Sequence, residues 1–121
     1  MDVGFRLLAR SDFDTLGRWL REPLIAWWWS DDPSPAAIEG TYGPAIDGSE
    51  ATDVYIVSID GRDAGLMQRY RIADQAEYVD ELAPLVDLPD GVMSIDYLLS
   101  QDVPGGGRGT AVIGWFVARL W

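Results

Sequence analysis

The sequence contains no cysteine and no histidine, and each absence excludes a class of chemistry. Without cysteine there is no disulfide, no thiolate nucleophile and no thiolate ligand for a metal. Without histidine there is no Ser-His or Cys-His catalysis and no imidazole ligand for zinc. Lysine is also absent, which excludes a Schiff base and a phosphate-loop lysine. The chain must therefore work with carboxylates, hydroxyls, arginines, backbone amides or a bound cofactor, and we predict no metal site.

Positive charge is scarce. Twenty acidic residues against nine basic ones give a formal net charge of −11. Such a balance repels nucleic-acid phosphates and anionic membrane surfaces, so we expect neither partner and favour a cationic ligand. The N-terminal residues 1–4 lack the pattern of a signal peptide, and no apolar stretch reaches 18 residues. We therefore expect a cytoplasmic protein.

A length of 121 residues predicts a single domain, residues 1–121. The first half of the chain indicates a strand over Val3–Ala9 and then an amphipathic helix that is capped by Ser11 and ends before Pro23. Residues 24–29 are apolar without a clear period. Ser34, followed by a proline, predicts a second helix that runs to about residue 45.

The second half changes to a period of two residues, which is typical of strands. Asp60-Gly61 predicts a hairpin turn. Residues 73–90 are polar and acidic, and they predict a long loop of the kind that is usually functional. The strands are expected at Thr52–Ile59, Ala64–Ile72 and Val92–Leu99, with a final helix over Ala111–Trp121.

Between the last strand and the last helix lies the glycine-rich segment Pro104–Gly109. Glycines allow close backbone approach, and the free N–H groups of a helix N-terminus bind phosphate. Spacing alone leaves a flexible turn equally open. A dinucleotide fingerprint fails because no acidic residue follows about 20 positions later, and a Walker loop needs lysine.

The segment Pro104–Gly109 resembles the pyrophosphate-binding motif of the GNAT superfamily of acetyl-CoA-dependent N-acetyltransferases, except at its first position. Within that superfamily the chain is most similar to aminoglycoside 6′-N-acetyltransferases, over nearly its whole length. The matching segments are Phe5–Leu8 with Asp12, Leu16 and Trp19-Leu20; Ile25–Trp28; Asp53–Ile56 with Ile59–Gly61; Gly65–Tyr70; and Ser94–Leu99.

This resemblance implies an α/β fold with a mixed, largely antiparallel sheet and helices on both faces. The chain would form the N-terminal portion of the domain, and we expect that it lacks the C-terminal part. The implied cofactor is acetyl-CoA, and the implied reaction moves an acetyl group to an amine of a cationic small molecule, most specifically the 6′-amine of an aminoglycoside. Antibiotic resistance would be the corresponding biological role.

The resemblance also implies roles for individual residues. Asp96, which interrupts an apolar strand, would bind the substrate ammonium and take its proton. The other substrate-binding residues would be Trp28, Gln68, Tyr70 and Tyr78. The cofactor would be bound by Leu98, Leu99 and Ser100, through backbone amides, and by Gly105, Gly106, Gly107, Arg108, Gly109 and Thr110.

Ordinary structural interpretations of these residues stay open. Asp96 is also compatible with a solvated strand edge, Gln68 and Tyr70 with a polar sheet face, and Leu98 and Leu99 with core packing. Of the consecutive Trp27–Trp29, at least one is expected to be partly exposed. Two other functions are compatible with the same residues: acylation of a siderophore precursor, and a non-catalytic module that binds a partner or forms a homodimer through its last helix.

Overall fold

The computed structural model describes residues 2–29, 31–71, 93–101 and 108–120. Within them lies a four-stranded sheet in the order β1-β2-β3-β4, with every neighbouring pair antiparallel. The strands are β1 (Val3–Leu7), β2 (Asp53–Ile59), β3 (Arg62–Arg71) and β4 (Met93–Leu99). All four predicted strands are therefore confirmed, with ends that differ by one or two residues. The predicted loop over residues 73–90 lies outside the described residues.

Among the described residues, four α-helices and one 3₁₀ turn accompany the sheet. The turn is Arg10–Asp12, and the helices are α1 (Phe13–Leu20), α2 (Pro23–Trp29), α3 (Pro35–Ile46) and α4 (Arg108–Leu120). The Ser34 hydroxyl accepts a hydrogen bond from the Ala37 N–H at 3.3 Å, as expected for an N-cap. None of the described helices is long and apolar enough to cross a membrane.

Helix α2 is absent from the sequence-based prediction, which gave residues 24–29 no regular structure. As predicted, α1 ends before Pro23. Pro23 is also the first residue of α2, a position where the missing N–H has no helical partner in any case. Helix α2 has seven residues and is apolar throughout, so its sequence shows no amphipathic period. The hydrophobic pattern alone therefore does not indicate a helix.

The start of α1 also differs from the prediction. The helix begins at Phe13, and the capping role expected of Ser11 is not observed. The Asp12 carboxylate accepts two hydrogen bonds from the Arg6 guanidinium, at 2.8 and 2.9 Å, and one from the Ala9 N–H at 2.9 Å. These bonds, with Arg6 the larger cause, lower the pKa of Asp12. The interaction fixes α1 against β1.

The hairpin between β2 and β3 confirms the predicted turn. Asp60 and Gly61 have φ values of 52° and 80°, the left-handed region that a two-residue type I′ turn requires at both central positions. Ile59 pairs with Arg62 directly across the turn. This turn sets the register of the two central strands.

Alternate residues of the strands pack against different helices. One core cluster joins Val54, Ile56, Leu66 and Leu98 of the sheet to α1, α2 and α3. The opposite face carries a second cluster, formed by Val3, Tyr55, Val57, Ile59, Ala64 and Met67 with Val112 and Phe116 of α4. Helices therefore cover both faces of the sheet, and the predicted α/β class is confirmed.

Phe116 is the residue through which α4 is fixed to the sheet. Its ring is fully buried and forms edge-to-face contacts with Phe5, at 5.3 Å between centroids, and with Tyr55, at 5.8 Å. Each such contact adds to the free energy gained from apolar burial. Strands β1 and β2 are thereby joined to the helix that follows the glycine-rich segment.

We predict that Phe116→Ala lowers the free energy of unfolding by about 3 to 5 kcal/mol, because it removes buried apolar surface and leaves a cavity. Urea denaturation followed by far-UV circular dichroism measures the loss. Val117→Ala is the matched control on the same helix, since Val117 is 48% exposed, and it should change stability by about 0.5 kcal/mol or less. Equal losses for both variants would contradict the packing described.

Candidate functional site

Three of the predicted site residues lie together on the sheet face that is covered by α1–α3. In the antiparallel register, Gln68 of β3 is directly opposite Asp96 of β4. The Gln68 amide donates a hydrogen bond to Asp96 Oδ2 at 3.2 Å, and the Tyr70 hydroxyl donates to the same oxygen at 3.3 Å. Gln68 and Tyr70 share this face because side chains two residues apart on a strand point the same way.

This trio forms one wall of a groove beneath α3. One cavity of about 180 Å³ contains Gln68, Tyr70 and Asp96. Next to it, a cavity of about 310 Å³ shares Gln68 and Asp96. The remaining lining residues of the two cavities are Thr41, Tyr42, Ala45, Glu50, Thr52 and Val54 in the first, and Trp29, Asp31, Thr41 and Tyr42 in the second. We refer to the two together as the acidic groove.

The charge in the acidic groove has one sign. Asp31, Glu50 and Asp96 each contribute a carboxylate, and none of the described residues lining the two cavities is an arginine. Carboxylates of one sign in a cleft create a potential that attracts cations and raises their local concentration. The groove therefore suits a ligand with several positive charges.

Asp31 is held by two aromatic side chains. Its Oδ2 accepts hydrogen bonds from the Tyr42 hydroxyl at 2.6 Å and from the Trp29 indole N–H at 3.0 Å. Burial and this contact with Asp31 raise the pKa of Tyr42, although its hydrogen bond with Trp29 opposes the shift. The phenol therefore stays protonated and keeps donating to Asp31 across the physiological pH range.

A second surface runs along the outer edge of β4. Among the described strands β4 pairs with β3 alone, and a cavity of about 340 Å³ is lined by Ile95, Asp96, Tyr97, Leu98 and Leu99. We call this surface the β4 edge. Asp96 therefore lines both the acidic groove and the β4 edge.

Backbone geometry determines which amides the β4 edge offers. The Ser100 N–H donates to the Ala64 carbonyl at 2.7 Å, so it points towards β3. Because backbone groups alternate in direction along an antiparallel strand, the amides of Asp96 and Leu98 also point inwards, and those of Tyr97 and Leu99 point outwards. Of the three residues predicted to offer amides to a cofactor, Leu99 has its N–H directed outwards, whereas the N–H groups of Leu98 and Ser100 are directed towards β3. The roles of the three residues towards a cofactor stay predictions.

The remaining predicted site residues are described only in part. Trp28 lies within α2, but its side chain is outside the described part of the structure, as is all of Tyr78. Gly105, Gly106 and Gly107 are outside the described residues as well. Arg108, Gly109 and Thr110 form the beginning of α4, one turn earlier than predicted. The roles proposed for all of these residues stay predictions.

Several groove residues were missed by sequence reasoning. Asp32 belongs to a turn, since its Oδ1 accepts a hydrogen bond from the Ser34 N–H at 2.9 Å, whereas Asp31 lines the groove. Trp29 lines it too, and Trp27 is 82% exposed. Tyr42, Glu50 and Thr52 come from elements that the sequence does not place near β4. No local motif signals them.

Within the described residues, no group of three or more acidic, histidine or cysteine side chains is arranged to hold a metal ion.

The structure thus combines an antiparallel sheet with helices on both faces, an acidic groove, and an adjoining edge of β4 that no other described strand covers. A family model described as "Acetyltransferase (GNAT) domain" matches residues 9–121. The chain belongs to this family.

Solved structures with the same fold include aminoglycoside acetyltransferase AAC(6′)-Ib in complex with coenzyme A, at 28% identity and a TM-score of 0.78 over 97% of this chain and 66% of that one. AAC(6′)-Ib with ribostamycin and coenzyme A matches at 27% identity and a TM-score of 0.79, over 98% and 66%. An uncharacterized protein from Bacillus halodurans matches at 14% identity and a TM-score of 0.78, over 96% and 57%, and shows the fold alone. The chain thus spans about 66% of the length of the acetyltransferases it matches. Among curated protein sequences there is no significant match.

We predict that Tyr42→Phe lowers the free energy of unfolding by about 1 to 2 kcal/mol, because Asp31 loses its shortest hydrogen bond. Chemical denaturation monitored by tryptophan fluorescence measures the change. Tyr97→Phe is the control, since the Tyr97 hydroxyl has no hydrogen-bond partner among the described residues, and it should shift stability by about 0.5 kcal/mol or less. If the two variants are equally stable, the Tyr42–Asp31 contact contributes nothing.

Proposed function

We propose that this chain contains the acceptor site and part of the cofactor site of an acetyl-CoA-dependent N-acetyltransferase. One observation carries the proposal: Asp96 lines both cavities of the acidic groove and also the cavity at the β4 edge. A carboxylate at this junction lies within reach of both a cation in the groove and a second ligand along the edge.

The residues present fit acetyl-CoA. The β4 edge offers outward backbone amides at Tyr97 and Leu99, which suit the amide-rich pantetheine arm, and its cavity is lined largely by apolar side chains. Helix α4 begins directly after three consecutive glycines, with Arg108 as its first residue, which is the sequence context expected for contact with phosphate. When bound, acetyl-CoA supplies a thioester carbonyl to which the amine adds, so that a C–N bond forms and the C–S bond breaks.

In this proposal Asp96 binds the ammonium group of the acceptor and removes one proton, directly or through a water molecule, so that the nitrogen lone pair becomes available. Gln68 and Tyr70 both donate to Asp96 Oδ2, which fixes the carboxylate and leaves Oδ1 for the acceptor. In the same proposal, an outward amide of β4 stabilises the negative charge that develops on the carbonyl oxygen.

The acceptor that we propose is an aminoglycoside, acetylated at its 6′-amine. Such a molecule carries several ammonium groups, and Asp31, Glu50 and Asp96 are distributed along the groove to meet them. The similarity to AAC(6′)-Ib structures, one with kanamycin and coenzyme A, supports the same choice. A role in antibiotic resistance follows if the substrate is correct.

Calorimetric titration of acetyl-CoA and of kanamycin into this chain, and into any longer form that contains it, tests the proposal. Acetyl transfer is followed by mass spectrometry of the amine. We expect binding of both ligands, and a mass increase of one acetyl group in the form that contains the complete domain. Binding of acetyl-CoA without any preference for kanamycin over a simple diamine would contradict the aminoglycoside assignment, and failure to bind acetyl-CoA would contradict the enzyme assignment.

We predict that Asp96→Asn, in the form active in that assay, lowers kcat/KM for the amine by a factor of about 10² to 10⁴, because the base and the ammonium ligand are lost together. Steady-state kinetics measure this value. Asp14→Asn is the control; it removes the same charge from an exposed position on α1 and should leave the kinetics unchanged. An unaltered kcat/KM in Asp96→Asn would exclude the catalytic role.

Glu50→Gln tests the electrostatic role of the groove separately from the chemistry. We expect the Kd of kanamycin to rise about two- to fivefold, since an exposed charge pair contributes about 0.4 to 1 kcal/mol. The Kd of acetyl-CoA should stay the same. The difference between wild type and variant should shrink as NaCl is raised from 50 to 500 mM; a difference independent of salt would show that the charge of Glu50 is not what the amine recognises.

A further inference from the structure

Glu22 occupies the junction between α1 and α2 and is fixed there by both helices. Its N–H donates to the Trp19 carbonyl at 3.0 Å, and its own carbonyl accepts from the Ala26 N–H at 2.8 Å. The backbone of Glu22 therefore has little freedom, and its side chain starts from a defined position.

The Glu22 carboxylate reaches across the fold to the end of β4. Its Oε2 accepts a hydrogen bond from the Ser100 hydroxyl, and its Oε1 accepts one from the Gln101 N–H, both at 2.7 Å. A distance of 2.7 Å is at the short end of the range for the Gln101 N–H and is ordinary for the Ser100 hydroxyl. No arginine forms an ion pair with Glu22 among the described residues.

These contacts determine where β4 ends. Ser100 is 5% exposed, and its N–H donates to the Ala64 carbonyl at 2.7 Å, so β3 and Glu22 hold the residue from two sides. Leu99, directly before it, has the outward amide of the β4 edge. A shift of Ser100 or Gln101 would move that amide relative to the sheet.

We propose that Glu22 is a positioning residue for acetyl-CoA: by binding the Ser100 hydroxyl and the Gln101 N–H it holds the outward amide of Leu99 in the place where the cofactor needs it. This inference rests on the proposed function. It links the α1–α2 junction to the affinity of the chain for acetyl-CoA.

The sign of the effect separates positioning from simple electrostatics. Coenzyme A is an anion, so removing a nearby negative charge strengthens its binding if charge alone matters. Positioning predicts the opposite. We expect Glu22→Gln to raise the Kd of acetyl-CoA about tenfold by calorimetry, and the KM for acetyl-CoA to rise more than kcat falls. Asp14→Asn on the same helix α1 supplies the purely electrostatic control, with an unchanged or slightly lower Kd.

Ser100→Ala is a second variant, which tests the proposal even when Glu22→Gln does not fold. Ser100→Ala removes one of the two hydrogen bonds without changing the charge, and it should raise the Kd about threefold. In the double variant Glu22→Gln/Ser100→Ala the increase should be smaller than the product of the single effects, because both changes break one shared contact. Hydrogen exchange of the Gln101 amide should accelerate in Glu22→Gln in the absence of any ligand.

The outcomes separate the two proposals. If the wild-type chain does not bind acetyl-CoA, the proposed function fails, and the inference fails with it. If the wild type binds but both Glu22→Gln and Ser100→Ala bind with unchanged or higher affinity, the inference alone is overturned. If Glu22→Gln does not fold, the Kd of Ser100→Ala decides.

Discussion

The pairing register of β3 and β4 is the constraint on which the candidate site depends. Because side chains alternate between the faces of a sheet, a slip of one residue would move Asp96 from the acidic groove to the α4 side. The register is held by burial on both faces: Leu66 lies opposite Leu98 beneath α1–α3, and Met67 lies opposite Tyr97 on the other side. The apolar residues that give the sheet its stability thus also place the carboxylate.

Placing a carboxylate on a largely covered sheet face has a free-energy cost that neighbouring polar groups must offset. Gln68 and Tyr70 do this for Asp96, and Tyr42 with Trp29 does it for Asp31. In both cases neutral donors, and not arginines, stabilise the carboxylate among the described residues. No arginine among the described lining residues offsets the negative charge of the groove, which therefore attracts a cation. Arginine partners such as Arg6 and Arg10 hold acidic residues elsewhere, between elements of the scaffold.

The sequence predicts those features of the fold that depend on residues close together in the chain. The period of two residues located the strands, Asp60-Gly61 predicted the hairpin, and the resemblance placed Gln68, Tyr70 and Asp96 in one site. Long-range geometry was not accessible in this way. Asp31 and Tyr42 meet across 11 positions, and Glu22 meets Ser100 across 78, through packing that no local motif encodes. The direction of the Leu98, Leu99 and Ser100 amides depends on which residues of β4 form hydrogen bonds with β3, and the order of residues alone does not specify this.

The even-numbered and odd-numbered residues of β4 serve different surfaces, the acidic groove and the β4 edge. Even-numbered positions direct side chains such as Asp96 and Leu98 to the face covered by α1–α3, while their amides are directed towards β3. Odd-numbered positions such as Tyr97 and Leu99 have their amides at the free edge and their side chains towards α4. A single rigid strand therefore holds a carboxylate and a row of amides at fixed separation, without a flexible loop between them. Because both groups move only if the whole strand moves, the fixing of the strand end at Ser100 affects the geometry of both surfaces together.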